Sequence, residues 1–399
     1  MVIVESEIEW RQMDQTPDRD ILRKLFSALR ERHYLHTAIF PSLQRPFFML
    51  PFEPNVMLSF TRNKTSPFTP SALPSLYRFR WFAKHPDTAL LYRFFFLNQR
   101  ASLEHLSNTL GNELIGHLVD AGIVKKSDGH ARATFRMVPY GDTIFLSDPD
   151  QGESRTTIQY VYVGGDSVTL SNFVSTRMLH RSYGRGLDLC AGTAFQGHNI
   201  KSHCDSVIAA EFNPRAVDFA RAILYANSVP NTFSVIQSDL WQNITGSFDI
   251  IVSNPPYYPV PENKWNPMIM DVFGGADHGM EKPLIIFDGF GQFLNPSGEG
   301  VLLAASPIIN DEDVLLSRLK PLAEKHGLET VLVPWKYTNM RLDPEYQVEN
   351  GIDYLIHYIV HARLTGNGSV ISSGYPFLVK TLQKLQLGFQ KMLPSWPRR

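Results

Sequence analysis

The chain is poor in cysteine: its 399 residues include only Cys190 and Cys204, too few for a disulfide framework. This scarcity favours a reducing compartment, and we expect a cytoplasmic protein. The chain also lacks an excess of either charge, since its formal net charge is −1. Such a balance provides no overall attraction to polyphosphates, although a local basic face would not be visible in the sum.

Long apolar runs are absent as well. No stretch approaches the ~20 residues that a helix needs to cross a bilayer. The first residues include Glu5, Glu7 and Glu9, where a secretory signal would carry an apolar segment. We therefore expect no membrane partner and no signal peptide.

Metal-binding spacings are missing too. Neither Cys-x-x-Cys nor His-Glu-x-x-His occurs among the 13 histidines and two cysteines. His198 and His203 are five positions apart, which places them on different faces of a helix. The sequence therefore predicts no metal site.

The middle of the chain has the pattern of an α/β fold. An apolar strand over 186–189 leads into a turn of small residues, and a helix is predicted from Phe195. Small residues there let backbone N–H groups approach a ligand at a helix N-terminus. A second strand ends at Glu211, 23 residues after Asp188, close to the spacing of roughly 20 at which an acid binds ribose hydroxyls in nucleoside-binding folds.

The pattern continues with a helix, introduced by Asn213 as N-cap and Pro214 as first residue. A third strand over 233–237 ends before Asp239, and a fourth over 248–253 ends before Asn254. Because ligand-type residues follow each strand, we predict a doubly wound, Rossmann-like α/β sheet. Two more strands, over 329–333 and 354–360, form the predicted antiparallel pair that closes the sheet.

The fourth strand is followed by Asn254, Pro255, Pro256 and Tyr257. Proline has a fixed φ and no N–H, so this loop is rigid and leaves the sheet. The Asn254 amide oxygen and the Pro255 carbonyl could each accept a hydrogen bond from one –NH₂ group, and Tyr257 offers a flat face. These groups suit a planar amide or amine nitrogen.

With this loop and the turn at 188–194, the chain resembles the class I S-adenosylmethionine-dependent methyltransferases of the Asn-Pro-Pro-Tyr type, in the methyltransferase small-domain superfamily. That class includes release-factor glutamine methyltransferases and base-amine methyltransferases. Its turn reads Asp-Leu-Gly-x-Gly-x-Gly, and here Cys190 and Ala194 replace the first and third glycines. The three glycines of the dehydrogenase fingerprint are absent, which disfavours a nicotinamide enzyme.

The resemblance extends over about residues 155–363. Residues 273–279 are similar to a Gly-Gly-x-Asp-Gly segment of the class, with His278 inserted, and 165–167 match a segment that the class folds against its cofactor. The implied cofactor is S-adenosylmethionine. The implied catalytic residues are Asn254, Pro255, Pro256 and Tyr257. The implied cofactor-binding residues are Asp166, Asp188, Cys190, Ala191, Gly192, Thr193, Glu211, Phe212, Asp239, Leu240 and Asn254.

Three domains are predicted: a mostly helical recognition domain over 1–150, the methyltransferase domain over 155–363, and a linker with a C-terminal helix over 364–399. Three helices and a hairpin across 127–130 are typical of a winged helix. Its recognition helix, over 112–121, has no Arg or Lys. That surface favours contact with protein or substrate over DNA binding.

The resemblance implies N-methylation of a planar nitrogen, foremost in an amide of a protein or peptide. Alternative acceptors are an exocyclic base amine in RNA or DNA and a nitrogen of a small natural product, because all of them suit the same loop. A non-enzymatic alternative is a winged-helix regulator that senses S-adenosylmethionine. The intact sequence from Asn254 to Tyr257 disfavours it.

Overall fold

The computed structural model describes residues 18–38, 81–148, 161–262, 274, 276–338 and 344–373. These residues belong to two compact units, which divide between Thr245 and Gly246.

The first unit begins with a helix whose apolar residues recur at helical spacing. Asp18 caps it, since its side chain accepts hydrogen bonds from the N–H groups of Asp20 and Ile21 at 3.0 Å each. Its Leu22, Leu25, Phe26 and Leu29 are buried, as the pattern predicts. The elements up to residue 148 are α1 (Arg19–Glu31), α2 (Pro86–Leu91), β1 (Ala101–Ser102), α3 (Leu103–Leu110), α4 (Asn112–Asp120), β2 (Val124–Ser127), β3 (His130–Ala133), β4 (Arg136–Tyr140) and β5 (Thr143–Ser147).

Three of these helices and one hairpin correspond to elements predicted from the sequence. Helix α2 continues as a π-helical turn over Tyr92–Phe96. Helix α4 begins at residue 112, where the sequence predicts it, and ends one residue before the predicted end. Strands β2 and β3 form the predicted hairpin, and β1 pairs with the other side of β3. Assignment of this region as a winged-helix recognition domain stays a prediction.

The first unit also contains three parallel strands with helices between them. Strand β6 pairs with β7, and β7 pairs with β8. The N-cap Asn213 and first-turn Pro214 start the second of these helices as predicted. The elements are α5 (Gly165–Arg177), β6 (Tyr183–Leu189), α6 (Phe195–Ile200), β7 (Cys204–Glu211), α7 (Pro214–Ala226) and β8 (Phe233–Gln237).

Side chains from α1 to β5 share one hydrophobic core with side chains from α6 and α7, including Phe195, Phe219 and Ile223. Asn227, which follows α7, reinforces this junction. Its side chain accepts from the Ile144 N–H and donates to the Ile144 carbonyl, both at 3.0 Å, and it accepts from Arg30 at 2.5 Å. The N-terminal elements are therefore part of the packing of the parallel-strand region.

The second unit has a mixed sheet with the order β14-β12-β13-β10-β9. Strand β9 is parallel to β10, β13 is antiparallel to both β10 and β12, and β14 is parallel to β12. The elements are β9 (Phe248–Ser253), α8 (Glu281–Phe293), β10 (Leu294–Ile309), β11 (Glu312–Asp313), α9 (Val314–His326), β12 (Leu328–Thr338), α10 (Pro344–Glu349), β13 (Ile352–Leu364) and β14 (Ser369–Ser372).

The α/β class and the antiparallel pair β12–β13 are confirmed. One segment differs from its prediction: residues 369–372, expected in a flexible linker, form β14 because their backbone pairs with residues 329–332 of β12. The predicted C-terminal helix lies outside the described residues. No helix in the described ranges is long and apolar enough to cross a membrane.

Candidate functional site

The turn after β6 has three residues in the left-handed conformation. They are Cys190, Gly192 and Ala194, with φ angles of 57°, 51° and 60°. Only glycine adopts this conformation without steric cost. Cys190 and Ala194 therefore replace glycine in the sequence while keeping the backbone that glycine favours.

Asp188, the last residue but one of β6, is almost completely buried, with 1% of its surface exposed. Its Oδ2 accepts a hydrogen bond from the Gly197 N–H at 2.7 Å. Its Oδ1 is buried with no hydrogen-bond partner among the described residues. Burial raises the pKa of Asp188 well above its ordinary value of 3.8, the Gly197 hydrogen bond opposes this, and the nearby Glu211 carboxylate adds to it.

We expect Asp188→Asn to increase the free energy of unfolding at pH 7 by about 1 kcal/mol or more, because an amide, unlike a carboxyl group, has no ionised form that burial penalises. The folded-state pKa of Asp188 is raised, so wild-type stability falls as pH rises from 3.8 through the folded-state value. The variant lacks this loss. Urea denaturation from pH 4 to pH 8 would measure how the free energy of unfolding changes with pH. The control is Asp205→Asn, which replaces an exposed carboxylate in the adjacent strand. The expectation would be contradicted if the free energy of unfolding changed with pH in the same way for wild type and Asp188→Asn.

Glu211 ends β7 and holds the turn. Its Oε2 accepts from the Gly192 N–H at 2.7 Å, and its Oε1 accepts from the Asn213 N–H at 2.8 Å. The next residue, Phe212, is 50% exposed. A carboxylate and an aromatic face thus stand next to the turn at 190–194.

The end of β8 lies beside the end of β7, because Glu211 is the register partner of Gln237 and its carbonyl accepts from the Ser238 N–H at 2.9 Å. Asp239 is exposed, and Leu240 has a left-handed φ of 45°. The structure therefore brings together all the predicted cofactor residues from Asp188 to Leu240 at the carboxyl ends of three parallel strands.

Asp166 lies in the first turn of α5, where its Oδ1 accepts from the Ser167 N–H at 2.8 Å. Two side chains of α6 fasten α5: Gln196 donates to the Ser167 carbonyl at 2.9 Å, and Asn199 donates to the Ser171 carbonyl at 3.1 Å. Sequence reasoning missed both. They are about one helical turn apart, directly after the small-residue turn, and this spacing could have indicated a polar helix face that contacts another element.

In the second unit, the predicted nitrogen-binding loop follows the buried strand β9. We call residues 254–259 the Pro-Pro loop. Asn254 is half-buried with its Oδ1 atom buried, Pro255 is buried, and Tyr257 is half-buried.

Two glycines of the predicted 273–279 segment pack directly on the backbone of this loop. A Cβ atom at Gly274 would lie 2.8 Å from both the N and O atoms of Tyr258, and one at Gly279 would lie 2.6 Å from the Tyr257 carbonyl oxygen. Both glycines have positive φ, 111° and 86°. Glycine is therefore needed at both positions, for the close approach and for the backbone conformation.

Behind the loop lies a histidine that the sequence does not mark. His357 on β13 is 2% exposed, and its ring meets Tyr257 edge-on at 5.9 Å, stacks on Tyr258 at 6.4 Å and contacts Trp335 at 5.6 Å between centroids. Burial, with a smaller contribution from Lys336, lowers the pKa of His357 to about 3. Its imidazole is therefore neutral at physiological pH. In the sequence it is one residue in an apolar strand, which is why the pattern missed it.

A second buried histidine, His198 on α6, is also neutral, since burial lowers its pKa to about 3. It packs edge-on against Phe145 and Phe233. Within the described ranges, no group of three or more His, Cys, Asp or Glu residues is placed to hold a metal ion.

Comparison with protein families identifies this region. The family described as the methyltransferase small domain matches residues 165–275, which include the turn after β6 and the Pro-Pro loop. The match relates residues 165–275 of the chain to this family. Its sequence from Asn254 to Tyr257 is consistent with the Asn-Pro-Pro-Tyr class.

Curated relatives of the methyltransferase domain act on different substrates by name. A Methanocaldococcus jannaschii protein, provisionally described as a protein N5-glutamine methyltransferase, is 32% identical over 31% of this chain and 62% of its own length. The ribosomal protein uL3 glutamine methyltransferase of Neisseria gonorrhoeae is 29% identical over 32% of this chain and 44% of its own. The ribosomal RNA small subunit methyltransferase C of Actinobacillus pleuropneumoniae is 32% identical over 24% and 28%. This chain thus covers less than two thirds of each relative.

Proposed function

We propose that this protein is an S-adenosylmethionine-dependent N-methyltransferase that acts on an amide nitrogen of a protein or peptide. The observation that carries the proposal is a set of buried oxygens with no hydrogen-bond partner among the described residues: Asp188 Oδ1, Thr193 Oγ1 and Gln196 Oε1. Buried polar atoms without partners are costly unless a ligand satisfies them. The names of the relatives support methyl transfer, and one of them, a protein N5-glutamine methyltransferase, supports nitrogen as the acceptor atom.

The residues at the strand ends fit the proposed cofactor. The buried carboxylate of Asp188 suits its cationic amino-acid end, Glu211 suits the ribose hydroxyls, and Asp239 suits the adenine amine. The exposed ring of Phe212 suits the face of the adenine. When bound, the cofactor would supply an activated methyl group, so the chain needs to bind and orient rather than activate it.

The Pro-Pro loop would orient the acceptor. The Asn254 Oδ1 and the Pro255 carbonyl would accept the two N–H bonds of an –NH₂ group and stabilise the positive charge that builds on its nitrogen. Tyr257, held from behind by the neutral His357, would stack on the planar group. No strong base is needed, because the methylated nitrogen is acidic enough to lose its proton to water or to a carbonyl.

A base amine in RNA is the second candidate acceptor, and one observation favours it. The hairpin β2–β3 exposes Lys125, Lys126 and Arg132, and Lys125 lies directly opposite Arg132. Clustered cations suit phosphates. The adjacent helix α4 carries Glu113 and Asp120 and no Arg or Lys, which favours the protein acceptor.

Incubation of the full chain with methyl-labelled S-adenosylmethionine and a fractionated cell extract tests the function. Label in amide nitrogen of the protein fraction would support the proposal, whereas label in RNA, DNA or small molecules would replace it with the corresponding alternative acceptor. Cofactor binding without transfer to any fraction would favour the sensing regulator. Failure to bind the cofactor would contradict the proposed function altogether.

The contact between Gly279 and the Pro-Pro loop yields a separate prediction. We expect Gly279→Ala to lower methyl transfer about tenfold while cofactor affinity is unchanged, because the new Cβ displaces the Tyr257 carbonyl and strains a residue of positive φ. Label transfer and calorimetry would measure the two quantities.

Gly366→Ala is a matched control, because Gly366 has a φ of 88° but, among the described residues other than its chain neighbours, no atom lies within 4 Å of its potential Cβ. It carries the same backbone strain without the displacement. Equal activity losses in the two variants would show that strain alone is responsible.

A further inference from the structure

His278 is the residue inserted in the segment that otherwise resembles Gly-Gly-x-Asp-Gly. It lies in a 3₁₀ turn over Asp277–Gly279 with a left-handed φ of 54°. Its Nδ1 atom is 2.9 Å from the hydroxyl of Tyr346, and the two rings meet edge to face with centroids 6.0 Å apart. This hydrogen bond connects the segment that follows the Pro-Pro loop to helix α10.

Tyr346 also shares its packing with the Pro-Pro loop. Tyr346 and Tyr258 both pack against the buried side chains of Ile352 and Leu355 at the start of β13. Tyr258 is largely buried there, and this burial raises its pKa. The loop and α10 are thus supported by the same apolar cluster.

The backbone beside His278 completes the connection. Gly279 has no room for a Cβ against the Tyr257 carbonyl and the Pro259 nitrogen, so movement of the 3₁₀ turn would be transmitted to the loop. The turn has its own hydrogen bonds, from the Gly279 N–H to Ala276 and from the Met280 N–H to Asp277, at 2.9 Å each.

We propose that His278 and Tyr346 are positioning residues for the Pro-Pro loop. Helix α10, which carries Tyr346, thereby affects how tightly the acceptor binds. Neither residue needs to touch the reacting atoms. Their hydrogen bond fixes the 3₁₀ turn, and the turn fixes the backbone that carries Tyr257. The inference deepens the proposed function and rests on it for the role of the loop.

A double-mutant cycle tests the inference on the full chain without any acceptor. Tyr346→Phe retains the ring and removes the hydroxyl, while His278→Ala removes the imidazole. We expect either change to speed hydrogen exchange at the Gly279 and Met280 amides about two- to tenfold, the effect of losing one hydrogen bond. The double variant should exchange no faster than the faster single variant, because both changes remove the same interaction.

Two further variants provide a rescue and a negative control for the double-mutant cycle. His278→Asn should restore slow exchange, since asparagine tolerates a left-handed φ and places a polar atom near the position of Nδ1. Arg318→Ala should leave exchange unchanged, because it removes only an exposed ion pair with the neighbouring Asp277, at 3.4 Å. Unchanged exchange in the single variants, or independent and additive effects in the double variant, would overturn the inference.

The catalytic consequence is measured with the extract fraction that accepts label. In Tyr346→Phe and His278→Ala, the apparent KM for that fraction should rise several-fold while kcat and the cofactor Kd stay near wild-type values. A fall in kcat with unchanged KM would overturn the assignment of α10 to acceptor binding. If the wild type transfers no label, the proposed function fails, and the exchange cycle still decides whether the two residues hold the loop.

Discussion

Asn254→Ala is expected to lose methyl transfer by on the order of 100-fold or more, while still binding S-adenosylmethionine. Asn254 directly follows the buried strand β9 and precedes the rigid Pro255 and Pro256, so its amide oxygen is held in place before the acceptor binds. Alanine cannot accept a hydrogen bond and leaves the acceptor nitrogen unoriented. Single-turnover transfer of labelled methyl to the accepting fraction would measure the loss.

Calorimetric titration with the cofactor separates this loss from unfolding. Asn367→Ala, an exposed asparagine in the same unit, serves as the control and should transfer at the wild-type rate. Normal methylation by Asn254→Ala would place the acceptor site elsewhere in the chain.

Glu211→Ala is expected to weaken S-adenosylmethionine binding by about 1–3 kcal/mol, or roughly 5- to 150-fold. The carboxylate has a structural role besides its proposed contact with ribose, because it accepts hydrogen bonds from the N–H groups of Gly192 and Asn213. Its removal leaves two backbone donors without their acceptors. Isothermal calorimetry would give the affinity.

Glu211→Gln separates the two roles. The amide oxygen can still accept one of these hydrogen bonds, so the loss should be smaller than for alanine. Glu104→Ala, an exposed glutamate in the same unit, should bind the cofactor as wild type does. Unchanged affinity in Glu211→Ala would remove Glu211 from the site.

Much of the proposed cofactor site follows from the sequence because its signals are local. A strand, a turn of small residues and a strand-end acid lie close together along the chain, and parallel pairing places their carboxyl ends side by side. Register then puts Glu211 opposite Gln237, next to Asp239. Gln196 and Asn199, which attach α6 to α5, could not be distinguished from other polar residues in the sequence. Polar residues on a helix look alike until the position of the partner helix is known.

The N-terminal region illustrates the opposite case. The division into domains over 1–150 and 155–363 stays a prediction. What the sequence does not show is that side chains of α1 and α7 share one core and that Asn227 bonds both Arg30 and Ile144. Burial of this kind depends on which amphipathic faces meet. One helix alone shows that it has an apolar face but not what covers it.

By itself, the sequence determined the α/β class, the small-residue turn after β6, the strand-end acids and the Pro-Pro loop, because each follows from short-range periodicity, turn chemistry or a contiguous motif. Only the tertiary structure decided that Gly274 and Gly279 close on the loop backbone, that His357 is a neutral support behind Tyr257, and that His278 bonds Tyr346. These contacts join residues 16 to 100 positions apart. Contacts at such separations arise from sheet register and core packing, which no local pattern records.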